Sequence, residues 1–206
     1  MGYSHSWIAA RGLSPEALLD ALGLRETGRP GELPSRTTPH CRTSLPGSWM
    51  VVLASLGAST GEEDGRPRFL DESEAAAPFL ATLSVGGEVV AGFLEEHVMA
   101  SRAAAWDGGA RRWSLRYDPE RRPDRLLAEG SPPAELGPIE ASLREAQRRE
   151  PDGADRLFEI PLELAKAITG FRGDEDEREY EELELSRPVM TRPGPRRSLL
   201  SRLLGR

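Results

Sequence analysis

Apolar positions in this chain form short strand-like alternations and helical stripes, separated by long polar stretches. From Tyr3 to Ala10, Tyr3, His5, Trp7 and Ala9 share one face and Ser4, Ser6, Ile8 and Ala10 the other, which predicts a first strand. Ser14-Pro15-Glu16 then reads as a helix start, with Ser14 as N-cap and Pro15 in the first turn. Leu18, Leu19 and Leu22 form the apolar stripe of this helix, and Gly23 is its stop. A polar loop is expected from there to about Ser44.

Trp49 to Leu56 is a continuous apolar run of strand length, suited to the middle of a sheet. After a polar loop, 57–67, Arg68 to Leu70 reads as a short strand. Glu72 to Ser84 reads as a second helix that Pro78 weakens. Val89 to Ala105 is strand-like but too long for one flat strand, so a break or bulge is expected near Ser101. Asp107-Gly108-Gly109 is a hairpin turn, and Arg111 to Tyr117 returns with Trp113, Leu115 and Tyr117 on one face. Two helices follow, Pro138 to Glu150 and Pro161 to Thr169. Hairpins beside segregated helices predict an α+β fold: a single, mostly antiparallel sheet, about four helices packed mainly on one face, and a disordered C-terminal tail.

Charge divides the chain further. The 206 residues carry 27 bases and 34 acids, a net charge of −7. Asp174 to Glu184 holds eight acids and one base, whereas Arg187 to Arg206 holds six arginines and no acid. The expected organisation is a globular domain over 1–173, an acidic hinge over 174–186, and a basic Pro/Gly/Arg linker with a leucine-rich peptide over 187–206. The acidic body argues against a nucleic-acid-binding face. The single cysteine, Cys41, permits no intrachain disulfide, so a reducing, cytoplasmic setting is the default. The N-terminus lacks the pattern of a signal peptide, and no apolar run approaches the roughly 18 residues of a membrane span.

Two groups carry candidate chemistry. His5 on the first strand and Glu95 and His97 on the Val89 segment would converge if those strands were neighbours on one face. Histidine with carboxylate serves acid-base or metal chemistry, so the triplet supports a small hydrolase or metal-dependent enzyme. The competing expectation is a half-buried polar cluster with no cofactor and no metal. His40 and Cys41 are adjacent in sequence and read as parts of a solvated loop, because a nucleophile and its base normally converge from different elements.

In the tail, a helix capped by Ser198 would place Leu199, Leu200, Leu203 and Leu204 on one side, with Arg196, Arg197 and Arg202 around them. Fewer than two turns are marginal in isolation. Four leucines contribute at most ~6–8 kcal/mol of burial, less the ordering cost. Weak, reversible docking follows, on another protein or, more loosely, on an anionic membrane. The sequence therefore points to a non-enzymatic protein-binding module, an adaptor or a toxin-neutralising immunity-type protein, with the enzyme as the alternative.

Overall fold

The computed structural model describes residues 3–56, 68–71, 73–120, 126–151, 153–174 and 178–186. Among them, nine strands form one sheet: β1 (Ser4–Arg11), β2 (Leu24–Gly31), β3 (His40–Leu45), β4 (Trp49–Ser55), β5 (Glu88–Glu95), β6 (Ala100–Asp107), β7 (Ala110–Tyr117), β8 (Leu126–Gly130) and β9 (Tyr180–Leu185). Four α-helices accompany them: α1 (Pro15–Leu22), α2 (Ala77–Leu83), α3 (Leu136–Arg149) and α4 (Arg156–Thr169). The order across the sheet is β2-β9-β3-β4-β1-β5-β6-β7-β8, antiparallel throughout. The class is α+β, as the pattern predicts.

The central strands are apolar on both faces, and the helices divide between those faces rather than gathering mainly on one. Trp7, Val51, Leu53, Val90, Leu94 and Leu115 pack with Phe158, Leu162 and Ala165 of α4. On the opposite face, Ile8, Val52, Ala91, Ala104 and Trp106 pack with Leu18 and Leu22 of α1 and Leu80 of α2. A strand covered twice shows a run of apolar residues instead of an alternation, which is why Trp49–Ser55 reads as it does. α3 has no fully buried residue and adds Leu136, Ile139 and Leu143 to the α4 side.

Three stretches that look like loop or hinge in the sequence are strands. The polar segment before Ser44 contains β2 and β3. β2 is an edge strand, where Pro30 and charged side chains are tolerated because one backbone edge and much of the surface face solvent. β8 forms the other edge and lies in the polar stretch before α3.

The expected acidic hinge over 174–186 contains β9, inserted between β2 and β3. Tyr180 and Leu183 are buried, while Glu181, Glu182 and Glu184 meet arginines of the flanking strands. These three glutamates are therefore the complement of basic residues far away in sequence.

Other boundaries also move. The long Val89 segment is two strands joined by a turn at 96–99, ahead of Ser101, with Met99 at φ 52°. Residues 68–70 are not a strand; the Leu70 carbonyl instead accepts a hydrogen bond from the buried Ser6 hydroxyl. α2 starts at Ala77, so Pro78 occupies its first turn without disrupting it. α4 is capped by Asp155, whose carboxylate accepts from the Leu157 amide at 3.1 Å, and Pro161 lies inside the helix rather than at its start.

Candidate functional site

An open groove lies near a sheet edge, where β9 parts from β3. The two strands pair at His40↔Leu183, Cys41↔Glu182 and Arg42↔Glu181. β3 continues to Leu45 beyond the last of these pairs. β9 meanwhile stays with β2 through Pro30↔Glu181 and Gly31↔Tyr180. A groove of about 940 Å³ occupies the fork, lined by residues of β2, by Arg42, Thr43 and Ser44, and by 178–181.

Two glycines of β2 shape this groove. Gly28 has φ 74° within the stretch where the β2–β9 register shifts, between Glu26 and Pro30. That left-handed conformation favours glycine. A Cβ at Gly31 would lie 2.7 Å from the Glu182 amide nitrogen, so β2 can approach β9 this closely only without a side chain there.

Charged groups of both signs rim the opening. Arg42 donates to Glu181 and also pairs with Glu26 at 2.9 Å. Arg29 pairs with Glu182 at 2.8 Å. Arg178 donates to the Gly170 carbonyl at 2.8 Å and lies over the Phe171 ring. The backbone edge of β3 beyond Arg42 has no paired strand on this side among the described residues. An extended segment laid there would gain main-chain hydrogen bonds, with polar side chains at the rim.

The residues of the expected His5/Glu95/His97 cluster do not converge. β1 and β5 are neighbours, but their register sets His5 opposite Leu94 and Ser4 opposite Glu95. Successive strand residues alternate faces, so His5 and Glu95 project to opposite sides of the sheet. The Ser4 hydroxyl donates to Glu95. His97 lies in the turn at 96–99 and is exposed. His5 is buried, donates through Nε2 to the Gly173 carbonyl and packs edge-on against Tyr3. Burial holds its pKa below the ordinary histidine value, opposed by the Gly173 bond and by Asp174 and Glu96. Among the described residues, no three His, Cys, Asp or Glu side chains form a group suited to a metal ion.

His40 and Cys41 are not in a solvated loop. They open β3 and are both buried, on opposite faces of the sheet. Among the described residues, neither ring nitrogen of His40 has a hydrogen-bond partner, and burial lowers its pKa to about 4. Burial pushes the Cys41 thiol up to about 12, far from the thiolate that nucleophilic chemistry needs.

The proposed docking residues Arg196, Arg197, Leu199, Leu200, Arg202, Leu203 and Leu204 lie outside the described residues. Among the described residues, no helix is long and apolar enough to cross a membrane. No family model, curated protein or solved structure matches the chain.

Sequence reasoning missed the groove because its walls come from three segments that read as loop or hinge. The run Arg25, Arg29 and Arg42 against Glu181, Glu182 and Glu184 was the available signal, one of charge complementarity rather than hydrophobic pattern.

Proposed function

We propose that this chain is a non-enzymatic, cytoplasmic protein-binding module of the adaptor or immunity type, which receives an extended segment of its partner along β3. One observation carries the reading: β3 runs three residues, Thr43 to Leu45, past its last pairing with β9, beside a charge-rimmed groove. Strand addition at such an edge draws affinity from main-chain hydrogen bonds and selectivity from the flanking side chains. Residues 187–206 act as a second attachment, with the leucines supplying contact area and the arginines supplying screened, long-range attraction.

Hydrogen exchange on the complex with a captured partner tests this reading. Of the amides from Thr43 to Leu45, only that of Ser44 faces away from β4; it gains protection on binding, and Ser44→Pro removes both the protection and most of the affinity. Unchanged exchange across these residues in a stable complex excludes the groove as the interface. Leu200→Glu with Leu203→Glu separately weakens capture, whereas raised salt mainly slows association. If salt alone abolishes capture and the double variant binds normally, the tail acts as a polybasic patch instead.

A further inference from the structure

At the other end of the sheet, β6 carries an arginine where its pattern calls for an apolar residue. Arg102 points to the same face as Phe93, its partner on β5, and is 2 % exposed. Its direct partner on β7 is Arg116, so two like charges stand opposite one another in adjacent strands. Such a pair is unfavourable by itself. A third guanidinium joins them through a bulge. The β6–β7 register shifts between Ala105 and Trp106, which sets Arg111 opposite Trp106 and returns it to this face. Burial is the leading cause lowering the Arg102 pKa; Glu74 opposes it, and Arg111 and Arg116 add to it.

The anions that balance Arg102 and Arg111 are exposed, whereas Arg116 is paired with Asp118, whose side chain is 11 % exposed. Arg102 donates to the Ser73 carbonyl at 2.7 Å and to Glu74, and Arg111 donates to the same Glu74 carboxylate at 2.7 Å. Arg111 also bonds Glu129 at 2.6 Å, and Arg116 bonds Asp118 at 2.8 Å. The Glu74 and Glu129 side chains are 58 % and 64 % exposed, against 30 % for Arg111 and 19 % for Arg116. Arg102 Nε has no partner among the described residues. A buried cation requires an anion beside it, yet the one provided is a side chain that water reaches freely and that contributes little net affinity.

We propose that Arg102, Arg111 and Arg116 form a binding site for a dianionic phosphate group, free or as a monoester, in which Glu74 is an internal carboxylate that the ligand displaces. A dianionic phosphate offers three oxygens to convergent guanidinium donors, whereas Glu74 offers two oxygens and one charge. Displaced, Glu74 moves into solvent it already contacts. The site lies on β6 and β7, away from the β3–β9 groove, and does not depend on the protein-binding reading.

Titration of the full-length chain with inorganic phosphate, phosphoserine and acetate at constant ionic strength tests this, followed by calorimetry and by thermal midpoint. Saturable binding of phosphate is expected, with acetate at least tenfold weaker. Glu74→Gln, which removes the competing charge and keeps the shape, is expected to tighten phosphate about tenfold. Arg111→Gln is expected to abolish binding while the ligand-free midpoint stays within a few degrees, which avoids the risk of misfolding at the buried Arg102. Phosphoserine binding as well as phosphate assigns an esterified ligand; phosphate alone assigns the free anion. Absence of saturable phosphate binding in both the wild type and Glu74→Gln overturns the proposal. So does acetate equal to phosphate, or unchanged binding in Arg111→Gln.

Discussion

Arg42 of β3 and Glu181 of β9 stand directly opposite one another across adjacent strands, with Nη2 and Nε donating to one carboxylate oxygen at 2.5 and 2.9 Å. Residues 139 positions apart thereby fix the register of a strand inserted late in the chain. Arg25 with Glu184 and Arg29 with Glu182 repeat the relationship on the β2 side.

A double-mutant cycle measures this coupling. Arg42→Glu should destabilise the protein, because Arg42 is only 14 % exposed and would face Glu26 and Glu181 with like charge. Adding Glu181→Arg should restore part of the loss, with a coupling energy of about 1 kcal/mol by urea denaturation. Strict additivity of the two changes would show that the pair does not set the register.

Two truncations separate the halves of the C-terminal region. Removal of 187–206 should move the thermal midpoint by no more than the ~2–4 °C that corresponds to about 1 kcal/mol at this size. The sheet closes before that point, where the Ser186 amide donates to the Gly23 carbonyl at 2.8 Å. Removal of 180–206 strips β9 from between β2 and β3 and should leave an insoluble or unfolded chain. An unchanged midpoint in the shorter form would contradict the role of β9 in the sheet.

Trp113 is 5 % exposed and packs in the core on the α4 side. Trp113→Ala should cost about 3–5 kcal/mol, the range for emptying an aromatic core site. Chemical denaturation reads the effect, and an unchanged midpoint would mean that Trp113 is not on the buried face of β7.

His40 links stability to pH. Its folded pKa of about 4 lies below the usual 6.5, so the unfolded chain takes up the proton first on acidification. The corresponding stability is complete above pH ~6.5 and is lost as pH falls towards 4, by about 3 kcal/mol for this one group. His5 is depressed in the same direction and adds to the trend. His40→Leu should flatten the difference in denaturation midpoint between pH 7 and pH 4.5; an equally steep loss in that variant would remove His40 as a cause.

Cys41 should be inert towards alkylating reagents at neutral pH, since its thiol is fully buried and pushed up to about 12. Modification should occur only on unfolding, so its rate should rise with denaturant in step with the unfolded fraction. Rapid stoichiometric labelling in native buffer would show that β3 opens locally.

The amino-acid sequence by itself determined the elements whose own apolar pattern marks them. β7, the helix at Pro15–Leu22 and the α3 stripe of Ile139 and Leu143 are legible because their apolar period matches their backbone period, and β1 and β4 because a short run of strand-forming residues marks a strand buried on both faces. The α+β class follows from their order. Tertiary structure alone decided what depends on partners distant in the chain. β2, β8 and β9 are polar because an edge or a charge ladder supports them, and no local window shows that Arg42 will meet Glu181. It also decided the sites. A one-residue offset in register sends Glu95 to the face away from His5, and a single bulge brings Arg111 to Arg102. Strand register reverses every side chain when it shifts by one, so the grouping of chemical residues is fixed only once the strands have paired.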